Sequence, residues 1–282
     1  MAGKDYAAIA RSRIVNTTKD PRKPRIFIYG RNKKGKTRFC TTAPNVLILD
    51  PESGTAQERV RRPDTWPIDR WDDIVDAAGF LKSKSNKSPT TGKPYEWVAW
   101  DGCTRITDIA LNFIRAQEME RDLSRRPTDV KIQDYGRSNK MIQEAVHQFH
   151  ALRDIGLIFT CQERMIEIAN MEDLDDDDSS PAGYMYVPDL PKGARAPFNQ
   201  VADVIGRIYV VRGDFVTTRL VRRKSGELVE REVPTTTQRR LWIGPHDMYD
   251  TGARSDYVLP DFIKDPTVPT LVQAMRTGKV DD

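Results

Sequence analysis

The chain has 282 residues, a hydrophobic fraction of 38% and a formal net charge of +4, which suits one large folded domain or one domain with a small appendage. No apolar run is long enough to cross a bilayer, and Met1 to Arg13 lack the apolar core of a secretory signal, so a cytoplasmic protein with no membrane partner is expected. Cys40, Cys103 and Cys161 are isolated and odd in number, which excludes a disulfide framework and fits a reducing compartment.

Residues 1–24 form a basic arm with one weak helical stretch, Tyr6 to Val15, and a basic turn from Asp20 to Pro24. The arm reads as a partner-docking segment or a loose tail. From Lys4 to Arg38 basic residues greatly outnumber the acids Asp5 and Asp20.

Ile26 to Tyr29 is an apolar run of strand length. Gly30 and Gly35 then bracket Arg31, Asn32, Lys33 and Lys34, and Lys36, Thr37 and Arg38 follow. This is the G-x-x-x-x-G-K-[ST] phosphate loop. Glycines let the backbone curl so that N–H groups point at phosphate oxygens, and the loop opens a helix whose N-terminal partial charge adds to the attraction. Lys36 would reach the β- and γ-phosphates, and the Thr37 hydroxyl would bind Mg²⁺. Pro44 stops the helix.

Val46 to Leu49 reads as a second buried strand, ending in Asp50-Pro51-Glu52-Ser53-Gly54. Ligands of α/β proteins lie beyond the carboxyl ends of strands, so Glu52 is a candidate to orient or deprotonate an attacking water. The alternative is an ordinary polar strand exit. Trp66 to Trp71 reads as a loop and Asp72 to Leu81 as a helix, with Ile74, Val75, Ala78 and Leu81 at helical spacing. Residues 82–94, rich in Ser, Lys, Pro and Gly, read as a flexible loop.

Trp97 to Trp100 leads to Asp101, an apolar strand ending in the carboxylate that supports Mg²⁺ in phosphate-loop sites. Gly102-Cys103-Thr104 reads as a turn and Arg105 to Leu123 as a helix. The basic stretch Arg121 to Lys131 is a candidate nucleic-acid loop. Met141, Ile142, Ala145, Val146, Phe149 and Leu152 mark another helix. His147 and His150 lie on it without a third metal ligand at matching spacing.

Gly156 to Cys161 is a third buried strand, ending in Gln162-Glu163-Arg164. Gln162 is placed to sense a γ-phosphate and pass the signal onward. Glu172 to Asp178 is an acidic block within a second flexible loop, 172–183. Leu190 to Arg195 reads as a loop and Asn199 to Val204 as a helix. Ile205 to Val211 and Phe215 to Val221 read as two strands around a turn at Arg212-Gly213-Asp214. Lys224-Ser225-Gly226 marks a hairpin turn before strands at Leu228 to Val233 and Arg239 to Ile243. Residues 246–282 read as a surface tail with one helix, Thr270 to Arg276.

The order of strand plus GRNKKGKT, LILDPESG, WVAWD, an IQDYG helix and LIFTCQER resembles the phage-encoded RecA-like P-loop ATPases of the single-strand-annealing recombinase group, with an AAA-type ATP-binding core. The resemblance runs from about Arg25 to Pro260. It implies an α/β fold, with a mainly parallel central sheet flanked by helices plus C-terminal antiparallel hairpins, and a core over residues 25–245.

The resemblance further implies that Lys36, Glu52, Asp101 and Gln162 carry the chemistry, that Thr37 and Asp101 hold Mg²⁺, and that ATP is the nucleotide. Implied partners are single-stranded DNA, further copies of the chain in a ring or filament with ATP at the interfaces, and a single-strand-binding protein, all in the host cytoplasm. A neighbour's arginine or lysine would complete the site, with Arg239, Arg240 and Arg254 as candidates. The implied function is ATP-dependent recombination or annealing. A helicase or packaging motor, and a nucleotide-dependent binding module with little turnover, are the alternatives. The chain departs from the pattern in the acids Asp173 to Asp178, which repel a phosphate backbone, and in Lys33 and Lys34, which replace small residues.

Overall fold

A computed structural model describes residues 5–13, 22–58, 61–126, 128–168, 183–223 and 225–280. In chain order the elements are α1 (Tyr6–Arg13), β1 (Arg25–Tyr29), α2 (Lys36–Cys40), β2 (Val46–Asp50), a single 3₁₀ turn (Gly54–Gln57), β3 (Asp64–Pro67), α3 (Trp71–Lys82), β4 (Trp97–Asp101), α4 (Cys103–Arg121) and α5 (Ile132–His150). They continue as β5 (Gly156–Cys161), β6 (Glu163–Ile168), β7 (Gly183–Pro188), α6 (Lys192–Val201), β8 (Val204–Arg222), β9 (Leu228–Trp242), β10 (Gly252–Ala253), β11 (Phe262–Lys264) and α7 (Val268–Thr277).

Among the described residues, nine strands form one sheet in the order β11-β9-β8-β1-β5-β4-β2-β3, with β10 beside β8. The pairs from β8 through β1, β5, β4 and β2 to β3 are all parallel, and β9, β10 and β11 add antiparallel pairs at the other end. This is the α/β architecture expected from the sequence. The strands β1, β2, β4 and β5 are buried at every residue, which is why they read as unbroken apolar runs rather than alternating ones.

Helices cover both faces. On one, α3, α4, α5 and α6 pack over Phe27, Trp100 and Phe159 of the sheet, with Phe198 of α6 among them. Phe198 brings its ring within 5.6 Å of Phe27, 5.1 Å of Phe159 and 6.0 Å of Trp100. On the other face Phe39 of α2 and Val268, Leu271 and Ala274 of α7 close over Ile26, Ile28 and Ile48.

Several elements differ from the sequence reading. Asp64 to Pro67, at the front of the supposed loop, pairs in parallel with β2. Its carboxylate side chain holds the following segment: Asp64 accepts hydrogen bonds from the hydroxyls of Ser88, Thr90 and Tyr95, the last at 2.8 Å. Ser88 and Thr90, within the segment 82–94 read as a flexible loop, are thereby bonded to the sheet edge. The turn at Cys103 and Thr104 is the first turn of α4. Helix α6 begins at Lys192, so most of the supposed loop at Leu190–Arg195 is helical and the helix ends at Val201 rather than Val204.

The two strands read on either side of Gly213 are one strand, β8, with a bulge between Arg212 and Phe215, and β9 is likewise continuous. The segment expected as a surface tail contributes β10 and β11 to the sheet and buries one side of α7. Arg125, a cation of the supposed nucleic-acid loop, is buried in an ion pair with Asp134. The acidic block Glu172 to Asp178 lies outside the described residues. No described helix is long and apolar enough to cross a membrane.

Candidate nucleotide site

The strand order brings the chemistry to one edge. The register aligns Tyr29 with Cys161 and Asp101 with Thr160, so β1, β4 and β5 end level with one another, with β2 beside β4. Gly30 leaves β1 with its N–H donating to Cys161 O at 3.2 Å. A Cβ there would run into the Ile208 backbone, so β8 leaves room only for glycine.

The loop then passes twice through the left-handed region, at Lys33 (φ 61°) and Gly35 (φ 104°). Such alternation is how backbone N–H groups are gathered into an anion-binding nest. Helix α2 is five residues long, little more than one turn, so the loop amides and Lys36 supply more of the field than a helix dipole can. The Lys36 ammonium donates to Gly30 O at 2.7 Å and Arg31 O at 3.0 Å. Burial lowers its pKa, and the nearby Asp101 opposes that shift.

Asp101 ends β4, buried. It accepts a hydrogen bond from the Thr160 hydroxyl at 2.7 Å and another from Thr37. Burial raises its pKa despite those donors. Glu52 follows β2 on a turn organised by Asp50, whose carboxylate accepts from the N–H groups of Glu52 and Gly54 at 3.1 Å and of Thr55 at 2.9 Å, and from the Thr55 hydroxyl. Ser53 takes a left-handed conformation (φ 55°) to complete the turn. The turn lays Glu52 beside Gly102: a Cβ built on Gly102 would stand 3.4 Å from Glu52 Oε1. The pKa of Glu52 is raised by burial and then by the charge of Asp101, with Lys36 pulling the other way.

Gln162 follows β5. Its N–H donates to the Thr104 hydroxyl at 3.3 Å and its carbonyl accepts from Asp189 N–H at 2.7 Å. Because β5 lies between β1 and β4, Gln162 leaves the sheet between the strand that opens the phosphate loop and the strand that ends in Asp101. Lys36, Thr37, Glu52, Asp101 and Gln162 together line a cavity of about 390 Å³, with Asn32, Lys33, Gly35 and Arg38 also in its lining. Gly30, Arg31 and Lys34 are not part of that lining. The Arg31 guanidinium instead meets Glu163 at 3.1 Å.

Glu163 is buried and also takes two hydrogen bonds from Arg207, at 2.9 and 3.1 Å. Arg207 lies over the rings of Tyr186 and Tyr249, 4.2 and 4.4 Å from their centres. The first residue of the β6–β7 ribbon is thus tied to the phosphate loop.

Two contributors were not singled out from sequence, and a third was expected in another role. Thr160 is a lone hydroxyl in the apolar run LIFTC, and a buried hydroxyl needs a partner. Asp50 precedes residues whose N–H groups it can reach, the pattern of an Asx turn. Arg239 was expected to serve a neighbouring chain but lines the cavity of its own. Arg240 turns to the other face of β9, 4.5 Å over the Phe262 ring, and Arg254 follows β10, its N–H bonded to Asp203 O at 2.7 Å.

The donor set fits a hydrated magnesium ion on a triphosphate: one hydroxyl, Thr37, in contact with one carboxylate, Asp101. Mg²⁺ prefers such hard oxygens and keeps most of its shell as water and phosphate. Among the described residues no group of three or more His, Cys, Asp and Glu side chains could hold a metal by itself.

Residues 22–255 match the AAA domain family AAA_24. Among curated proteins none matches the chain. Among solved structures, the flagellar accessory protein FlaH from Methanocaldococcus jannaschii is 13% identical, covers 88% of each chain and gives a TM-score of 0.34. The RadB recombinase is 12% identical over 75% of this chain and 87% of its own, with a TM-score of 0.36. The family match spans most of the chain and contains every residue lining the cavity. The chain belongs to the AAA domain family AAA_24.

Proposed function

We propose that this protein hydrolyses ATP to ADP and phosphate and couples the cycle to binding single-stranded DNA, in recombination or strand annealing. The observation that carries the reading is convergence: side chains from three separate strand ends, Glu52, Asp101 and Gln162, line the same cavity as Lys36 and Thr37. No single motif produces that arrangement; the strand order does.

In this reading Lys36 gives up its loop carbonyls for phosphate oxygens, exchanging neutral acceptors for charged ones. Thr37 and Asp101 would hold Mg²⁺, which supplies charge neutralisation at the phosphates. Glu52 orients and deprotonates the attacking water, and its raised pKa makes it a stronger base than an ordinary carboxylate. Gln162 reads the state of the site, and the ribbon that begins at Glu163 carries it outward.

The DNA part is supported by the position of that ribbon, by the exposed Arg164 on it and by the exposed Lys192 at the start of α6. In this reading the protein works as a homo-oligomer, and a single-strand-binding protein is its expected partner. ATP turnover with and without single-stranded DNA tests the coupling. DNA should raise the turnover of the intact chain and leave Lys36→Ala inactive. Turnover indifferent to DNA at low salt would retire the DNA reading and leave an ATPase of other purpose.

A further inference from the structure

Phosphoryl transfer uses more positive charge than one loop lysine provides, and the second cation comes either from the same chain or from a neighbour. We propose that Arg239 supplies it in cis, binding the phosphates of the nucleotide held by its own chain. The inference rests on the ATPase reading above and goes beyond it, because it removes the need for a neighbour to complete the cationic site.

The geometry is specific. Arg239 lies across Gly35: a Cβ at that glycine would be 2.7 Å from Arg239 Nε, 2.8 Å from Cδ and 3.8 Å from Cζ. Gly35 therefore has two reasons to be glycine, its left-handed backbone and the arginine laid over it. The same side chain lines the cavity formed by Lys36, Thr37, Glu52, Asp101 and Gln162.

The backbone that presents it is fixed. Arg239 N–H donates to Asp265 Oδ1 at 3.2 Å, and Asp265 N–H donates back to Arg239 O at 2.8 Å. Asp265 also accepts from the Thr217 hydroxyl of β8 at 2.9 Å, so β8, β9 and the exit of β11 are joined at this residue. Strand alternation does the rest. Leu241 shares the face of Arg239 and packs into the core beside α2, while Arg240 points the other way.

The chemistry suits arginine. Its planar fork remains charged at any working pH and can grip two phosphate oxygens at once, whereas Lys36 acts as a point charge. No proton moves to or from Arg239. Its part is to stabilise negative charge that grows on the phosphate oxygens as the terminal bond breaks.

Mixing complementary inactive chains separates cis from trans. The variants are Arg239→Ala, which keeps its phosphate loop, and Lys36→Ala, which keeps its arginine. Each alone should lose about 10³-fold or more in turnover. An equimolar mixture should remain as inactive as its parts, over the full range of protein concentration. Recovery of activity on mixing would show that the arginine serves a neighbour and would overturn the proposal, as would wild-type turnover in Arg239→Ala alone. Arg239→Lys, which keeps the charge and most of the stem, carries the same mixing test should the alanine variant fail to fold. It should regain only part of the activity, because it lacks the fork. Failure of the intact chain to bind a fluorescent ATP analogue would instead bring down the ATPase reading, and this inference with it.

Discussion

Asp101 takes a carboxyl group to a place where water cannot solvate its charge, and burial raises its pKa. A carboxyl that holds its proton more tightly when folded than when unfolded costs stability in its ionised form. That cost is present above the ordinary carboxylate range and fades as pH falls below it. In the absence of nucleotide, Asp101→Asn should therefore raise Tm by a few degrees near pH 7, and the gain should vanish in acid. A variant less stable than the parent at pH 7 would show that the bonds from Thr37 and Thr160 outweigh the buried charge.

Glu52 belongs to the same scale. Glu52→Gln should lower turnover by about 10²–10⁴-fold while leaving ATP affinity close to that of the parent, read by turnover and nucleotide titration together. Unchanged turnover would reduce Glu52 to a polar strand exit. Gly35→Ala should cost about 1–2 kcal/mol in denaturant unfolding from the left-handed backbone alone, and should displace Arg239 as well. Lys36, Thr37 and Asp101 were legible because their chemistry is local: a short motif, or an acid ending an apolar run. Thr160 was not, because it matters through Asp101, 59 residues away in sequence; Asp50 serves residues directly after it, a local signal overshadowed by Glu52.

At the scale of elements, α6 shows where local reading gives way to packing. Pro191 and Gly193 read as loop formers, yet the helix starts directly after Pro191 and contains Pro197 as well. Proline before a helix has no N–H to lose, and Phe198 and Val201 bury against the sheet and outweigh the propensity cost within the helix. Phe198→Ala should cost about 3–5 kcal/mol, measured by denaturant unfolding, because it empties the contact among Phe27, Trp100 and Phe159. A loss below 1 kcal/mol would mean that α6 is not held by that ring. The long strand β8 was read as two for a similar reason. Gly213 carries a turn signal, but the bulge absorbs it, and only the pairing with β9 keeps the strand continuous. The four buried parallel strands were legible because both their faces are covered, which leaves an apolar run with no alternation to misread.

For the molecule as a whole, strand order matters more than any motif. Placing β5 between β1 and β4 has Gln162 leave the sheet between the strand that opens the loop and the strand that ends in Asp101. Placing β8 and β9 on the far side of β1 brings Arg239 over the loop from about two hundred residues away in sequence, a closeness that no spacing rule could have indicated. The same order starts the β6–β7 ribbon at Glu163, bonded to Arg31 of the loop and Arg207 of β8, so phosphate loop and ribbon share one ion cluster. Everything in this account depends on that cavity being where ATP is cleaved. Phosphate release from ATP in the presence of Mg²⁺, compared for the intact chain and Lys36→Ala at equal concentration, tests it most directly. The intact chain should release phosphate steadily, and the variant none above background. Equal release by both would contradict it.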